Sequence, residues 1–218
     1  MVTRIAQELG MDAGPASELY EATDWNPSGY IQRPDITQFN TRLITAAGGT
    51  LTEPGTPLSI FEKTDAAIFS QLDLSWMAKC ENVVIKDPRL CYTLYSWYLH
   101  NMLSGFMPMV IRVSRDTETA AQSALAHYDV KHYCNNSLDT ALSVIQSYND
   151  AAVWHITHLP VPHIHICYEA LIRTPELVVG EIAAALEVTD PHRIRSAITA
   201  TNSGKSIIEK NQLMLFQG

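Results

Sequence analysis

Charge is scarce in this chain of 218 residues: Asp, Glu, Lys and Arg together make only 17% of it. Hydrophobic residues make 46%, so the chain can bury a real core and is no disordered tail. Basic residues are in deficit, 15 Lys and Arg against 23 Asp and Glu, for a formal net charge of −8. That excludes a surface that coats nucleic acid and leaves room only for a local basic pocket. No apolar run reaches the roughly 20 residues of a membrane span, and MVTRIAQELG lacks the apolar core of a secretory signal. Cys80, Cys91, Cys134 and Cys167 stand singly, with no CxxC pair, the pattern of reduced thiols in a cytoplasmic protein. There is no internal repeat and no low-complexity tract. A Walker loop is missing too: the one Gly-Lys-Ser, residues 204–206, has neither a preceding strand nor a first glycine. The length fits a single domain over 1–218, with 201–218 as a C-terminal tail.

What is present reads as alternating helices and strands. Val2, Ile5, Ala6 and Leu9 share one helical face, with Gly10 as a stop. Residues 24–34, DWNPSGYIQRP, are rich in turn formers. Pro34 then opens a helix carrying Ile36, Phe39, Leu43 and Ile44, ended by Gly48-Gly49. Residues 50–60 read as a loop and 62–79 as a helix. Three β-like runs follow: NVVIK (82–86), MVIRVS (109–114) and HIHICY (163–168). Helical patterns over 90–103, 116–128 and 138–156 separate them, and Thr174-Pro175-Glu176 opens another. Strands alternating with helices at this spacing imply an α/β fold with a parallel sheet.

In such sheets ligands bind beyond the carboxyl ends of the strands. Lys86, Asp87 and Arg89 lie just past the first run. Arg115 lies just past the second, followed by Asp116 or Thr117 as a helix cap and by Ser123 eight residues on. Free amides at that helix start favour an anion. Two strand ends thus offer cations in an acidic protein, the signature of a phosphate or sulfate site. The competing readings are structural: Lys86 and Arg89 as solvated charges, Arg115 as an ion-pair partner of Asp116 or Glu118, Ser123 as a packing residue. Arg112 falls on the opposite strand face. His155 and His158 have helical spacing and His163 and His165 share a strand face, yet no further ligand completes a metal set, so they read as buried or surface histidines. Tyr92, Tyr95, Trp97 and Tyr98 read as core.

VVIKDPRL, then VIRVSRDTETAAQSAL, then HIHICYEALIRTPELVVGEIAAALEV, resembles the sulfotransferase family in its bacterial and tyrosylprotein-type branches. The upstream NPSGYIQRPDITQFNTRLI is similar to that family's Asn-x-x-Gly-aromatic-x-Glu segment. The resemblance spans roughly residues 5–188 and rests on the order and spacing of the motifs together. It implies a P-loop NTPase-like three-layer α/β fold, with a parallel sheet of about three to four strands. It also implies 3′-phosphoadenosine 5′-phosphosulfate as co-substrate, no metal, and a small-molecule or glycan acceptor taking the sulfuryl group on a hydroxyl or amine. Carried over, Arg115 and Ser123 match the pair that holds the 3′-phosphate, and Lys86 matches a lysine beside the sulfuryl group. Sulfuryl transfer spreads negative charge over several oxygens, so fixed cations would do most of the work.

Two departures stand out. No Gly-rich loop precedes a helix, so the first strand and the loop for the 5′-phosphosulfate are expected to be missing, with the chain beginning just after them and retaining little activity. The family's glutamate general base is here Gln32, a neutral amide that cannot accept a proton. Glu21, Asp24 and Asp35 are the possible substitutes. The competing function is a non-catalytic sulfotransferase-like module that binds a nucleotide or a protein.

Overall fold

The computed structural model describes residues 1–23, 29–126 and 128–201, and for 128–130 the backbone alone. Asp24, the Gly-Lys-Ser run and the tail beyond residue 201 lie outside the described residues. The fold is α/β: a small parallel sheet of two strands, flanked by helices.

Helix α1 (Val2–Glu8) turns Ile5, Ala6 and Leu9 fully inward, as their spacing requires. Helix α2 (Pro34–Ala46) begins on its proline, whose fixed φ suits a first helical turn, and buries Ile36, Phe39, Leu43 and Ile44. Helix α3 (Pro57–Lys63) starts earlier than the sequence suggests, on a capping box in which Thr56 and Ser59 exchange side-chain and backbone bonds. The helix expected over 62–79 is not continuous: α3 stops at Lys63, and short 3-10 turns cover Ala66–Gln71 and Met77–Lys79. Local side-chain bonds break it. Thr64 Oγ1 donates to the Ile60 carbonyl, Asp65 accepts from Ala67 N, and Asp73 accepts from Ser75 N. Such bonds offer the backbone an alternative to the helical ladder.

Helix α4 (Leu90–Leu99) follows the Lys-Asp-Pro-Arg turn. Strand β1 (Val110–Ser114) leads into α5 (Thr117–Leu125), then α6 (Tyr128–Tyr133) and the long α7 (Leu138–His158), capped by Ser137. Strand β2 (His163–Cys167) pairs in parallel with β1, Arg112 opposite His165 and Ser114 opposite Cys167. Helices α8 (Tyr168–Arg173) and α9 (Pro175–Ala185) follow, then a helical stretch over 191–201. Pro175 opens α9 as expected and Thr174 is its N-cap residue, but the Thr174 side chain makes no cap bond: its hydroxyl donates backward to the Ala170 carbonyl.

The first expected strand, NVVIK, does not form one. It makes a single parallel bridge, Asp12 to Val83, through Asp12 N to Asn82 O and Val84 N to Asp12 O. Its partner leaves after one residue, because Asp12 Oδ1 takes the Gly14 amide and turns the chain. Gly14 holds a positive φ of 88°, and a Cβ there would collide with the Arg33 guanidinium. Among the described residues the sheet therefore has two strands rather than three or four.

Two large apolar cores result, beside a small cluster of Ala121, Cys134 and Ala141. One joins α2, α3, α4 and α7 through Ile36, Phe39, Leu43, Ile60, Tyr92 and Trp97. The other packs α1 and β2 against α8, α9 and the 191–201 stretch, through Ile5, Leu9, Ile166, Leu171, Val179 and Ile182. Ile85 packs on the first core, so the segment before Lys86 is anchored there.

Candidate functional site

Lys86 sits where the bridge segment gives way to the α4 turn. It is half-buried, and its Nζ donates to Gln32 Oε1 at 2.7 Å across 54 positions of sequence. Gln32, itself buried, passes the contact on: its Nε2 donates to Thr37 Oγ1 at 2.7 Å, on α2. A lysine ammonium can only donate, so the amide oxygen must face Lys86 and the amide nitrogen must face Thr37. Burial lowers the Lys86 pKa below the ordinary lysine value; the Asp87 charge opposes that shift, while Arg89 adds to it. The same lysine is felt at the start of α1, where burial first and Lys86 second lower the Met1 amino group.

Asp87 and Arg89 do a different job. The Asp87 side chain is fully buried, and its Oδ1 accepts from Arg89 N at 2.8 Å and from Arg89 Nη1 at 3.1 Å. This pair ties the turn that launches α4. Arg89 is thus committed inside the protein, and the expectation of a second anion-binding cation here does not hold. Asp87 Oδ2 and Arg89 Nε are buried without a partner.

Arg115 follows the last residue of β1 and lays its guanidinium over the Tyr168 ring, 5.0 Å from the centroid. The ion pairs that sequence alone allowed it do not form. Asp116 caps α5 instead, accepting from Thr119 N and Oγ1, and Glu118 accepts from Gln122. Among the described residues neither Lys86 nor Arg115 has a carboxylate at ion-pairing distance, whereas Arg33, Arg89 and Arg193 each have one. Ser123 is exposed on α5, about two turns into the helix that Arg115 precedes.

Part of the expected anion site at the start of α5 is taken by protein. Glu169 Oε1 accepts from Asp116 N at 2.9 Å, and its Oε2 accepts from Cys167 Sγ at 3.1 Å. Those bonds, the Asp116 amide first, hold the Glu169 carboxyl below its usual range. Asp116 Oδ1 takes the Thr119 amide as well, so two of the amides around the start of α5 are bound by protein.

The substitutes for the general base fare unevenly. Asp35 is engaged by Arg33 Nε and Nη2 and by Ile36 N. Glu21 is exposed. The histidines are accounted for separately. His155 is buried in α7 with its pKa lowered to about 4 by burial, His158 stacks on Trp154, and His165 pairs with Ser114 Oγ at 2.7 Å. Among the described residues no cluster of three or more His, Cys, Asp or Glu could hold a metal ion. All four thiols are unpaired, and no helix among the described residues is long and apolar enough to cross a membrane.

Sequence reasoning did not foresee the Thr37–Gln32–Lys86 relay or the Ser114–His165 pair. Gln32 was conspicuous as an amide in a carboxylate's place, but its contact with Lys86 is long-range. Fold and site together define an α/β protein with two cations at the carboxyl ends of extended segments, each without a carboxylate partner. Comparison with protein-family models, curated proteins and solved structures finds no match.

Proposed function

We propose that the chain is a sulfotransferase-type domain of P-loop-like, three-layer lineage. It would serve transfer of a sulfuryl group from 3′-phosphoadenosine 5′-phosphosulfate to a hydroxyl or amine of a small-molecule or glycan acceptor, in the cytoplasm. The observation that carries this reading is the pairing of the two cations: among the described residues neither Lys86 nor Arg115 has a carboxylate at ion-pairing distance, although acidic residues adjoin both. Leaving a cation unpaired beside a core is unfavourable unless an anion completes it. In this reading Arg115 and Ser123 hold the 3′-phosphate. Lys86 faces the sulfuryl oxygens, where negative charge gathers as the acceptor bonds to sulfur and the bond to the phosphate oxygen breaks. No described residue is assigned to the 5′-phosphate, so nucleotide binding is the readout that tests the site, rather than turnover.

The test is calorimetric titration of adenosine 3′,5′-bisphosphate into the chain and into Arg115→Ala. A charge-assisted contact of about 1.5–3 kcal/mol corresponds to a loss of roughly 10- to 150-fold in affinity. No binding by a folded wild-type chain refutes the assignment. A non-catalytic nucleotide-binding module is favoured by one specific observation: Gln32 is an amide already engaged by Lys86, and Asp35 is held by Arg33. Release of the bisphosphate from the sulfate donor in the presence of acceptor separates the two readings.

A further inference from the structure

Lys86 is held by a hydrogen bond to a neutral amide, and the geometry of that contact is specific. Gln32 is 8% exposed, its backbone carbonyl accepts from Tyr20 N, and its amide is fixed at both ends between Thr37 and Lys86. A glutamate of the same size would fit the same place, since the Thr37 hydroxyl can donate as readily as accept. It would then form an ion pair with Lys86 and cancel its charge. The groups around Lys86 are mixed in sign: Asp87 and Arg89 from its own segment, and the Met1 amino group from α1. Asp87 binds Arg89 through Oδ1, and its Oδ2 makes no hydrogen bond to Lys86. The neutral amide therefore leaves Lys86 without a carboxylate in contact.

We infer that Gln32 is a positioning residue for Lys86: through the Thr37–Gln32–Lys86 relay it aims the ammonium and leaves its charge free for a tetrahedral oxyanion such as a sulfuryl group. This deepens the sulfuryl-transfer reading, from which it takes the identity of the anion. The state of the lysine, however, is measurable without any nucleotide. A carboxylate at position 32 would compete with the oxyanion for the same charge; an apolar side chain would leave the charge but not its aim.

The experiment is pH-dependent acylation of the full chain by limiting acetic anhydride, read by mass spectrometry at Lys86 with exposed Lys63 as internal reference. It is run with sodium sulfate and with sodium chloride at matched ionic strength, on wild type, Gln32→Glu and Gln32→Met. Wild-type Lys86 is expected to titrate below the ordinary lysine value, and sulfate is expected to slow its acylation at least threefold relative to chloride. Gln32→Glu is expected to raise the Lys86 titration above that of wild type and to abolish the sulfate protection. Gln32→Met is expected to keep the low titration while weakening the protection. Circular dichroism confirms that each variant is folded, and an unfolded variant would betray itself by Lys86 and Lys63 titrating alike without sulfate effect in Gln32→Met as well. Equal Lys86 titration in wild type and Gln32→Glu, or equal sulfate protection in both, overturns the inference. Failure of adenosine 3′,5′-bisphosphate to bind, with these lysine results intact, would refute the nucleotide reading and not the role of Gln32.

Discussion

The Lys-Asp-Pro-Arg turn contains two kinds of charge, and Asp87→Ala and Lys86→Ala should separate them. Asp87 has no exposed side-chain surface, and Arg89 keeps 19% of its own exposed. Removing one partner of a buried pair costs about 3–5 kcal/mol. Here the lower end applies, because Arg89 retains some water and because Asp87 Oδ2 already lacks a partner, a defect that the alanine removes. Asp87 Oδ1 also accepts from Arg89 N, so the substitution loosens the turn that starts α4. A loss of about 3 kcal/mol, with a urea m-value of about 2–3 kcal/mol/M, moves the unfolding midpoint down by roughly 1–1.5 M. Lys86→Ala removes a half-buried cation whose one hydrogen bond is to a neutral amide. Loss of that bond leaves the buried Gln32 Oε1 without its partner, at about 1–3 kcal/mol, and relief of the burial that lowers the lysine pKa offsets part of it, so the loss should stay below that of Asp87→Ala. Urea denaturation followed by far-ultraviolet circular dichroism measures both. If Asp87→Ala cost less than Lys86→Ala, the assignment of Asp87 and Arg89 to structure and Lys86 to binding would be wrong.

Asn40 is fully buried and its Oδ1 accepts from Thr93 Oγ1 and Trp97 Nε1. Asn40→Ala should cost about 2–3 kcal/mol, chiefly through the stranded indole N–H, since Thr93 keeps a second partner in the Arg89 carbonyl; a midpoint shift within error would refute this. His155 is buried with its pKa lowered to about 4, so the unfolded chain gains its proton first. Stability should be full above about pH 6.5 and fall as pH drops from there toward 4. His155→Leu should flatten that part of the profile, and an unchanged slope would count against it. Glu169, lowered chiefly by the Asp116 amide, should contribute stability at neutral pH that is lost as pH falls through its depressed value. The difference between wild type and Glu169→Gln should therefore shrink on acidification, as measured by denaturation at pH 7 and pH 3.

How far the sequence could be read is clearest in particular elements. The helical face of Ile5, Ala6 and Leu9, the Pro34 start of α2, the Asp116 cap of α5 and the two runs that become β1 and β2 are local signals, and each is found where its residues place it. The run NVVIK carries the same local signal and yet is no strand. A strand is completed by its neighbour, and Asp12 and Gly14 turn that neighbour away after one bridge. Likewise 62–79 has helical composition, but Thr64, Asp65 and Asp73 take the backbone's partners.

At the site, residue type and order singled out Lys86 and Arg115, because charge next to a β-branched run is visible in one dimension; Ser123 entered through its spacing from Arg115 and the resemblance. What each charge is paired with was decided only in three dimensions. Arg89 went to Asp87, the Asp116 carboxylate went to α5 rather than to Arg115, Glu169 took the Asp116 amide, and Gln32 crossed 54 residues to reach Lys86. Electrostatic pairing depends on distance and burial to a few ångströms. Periodicity sets which face of an element a side chain lies on, whereas those distances are set by how the elements pack.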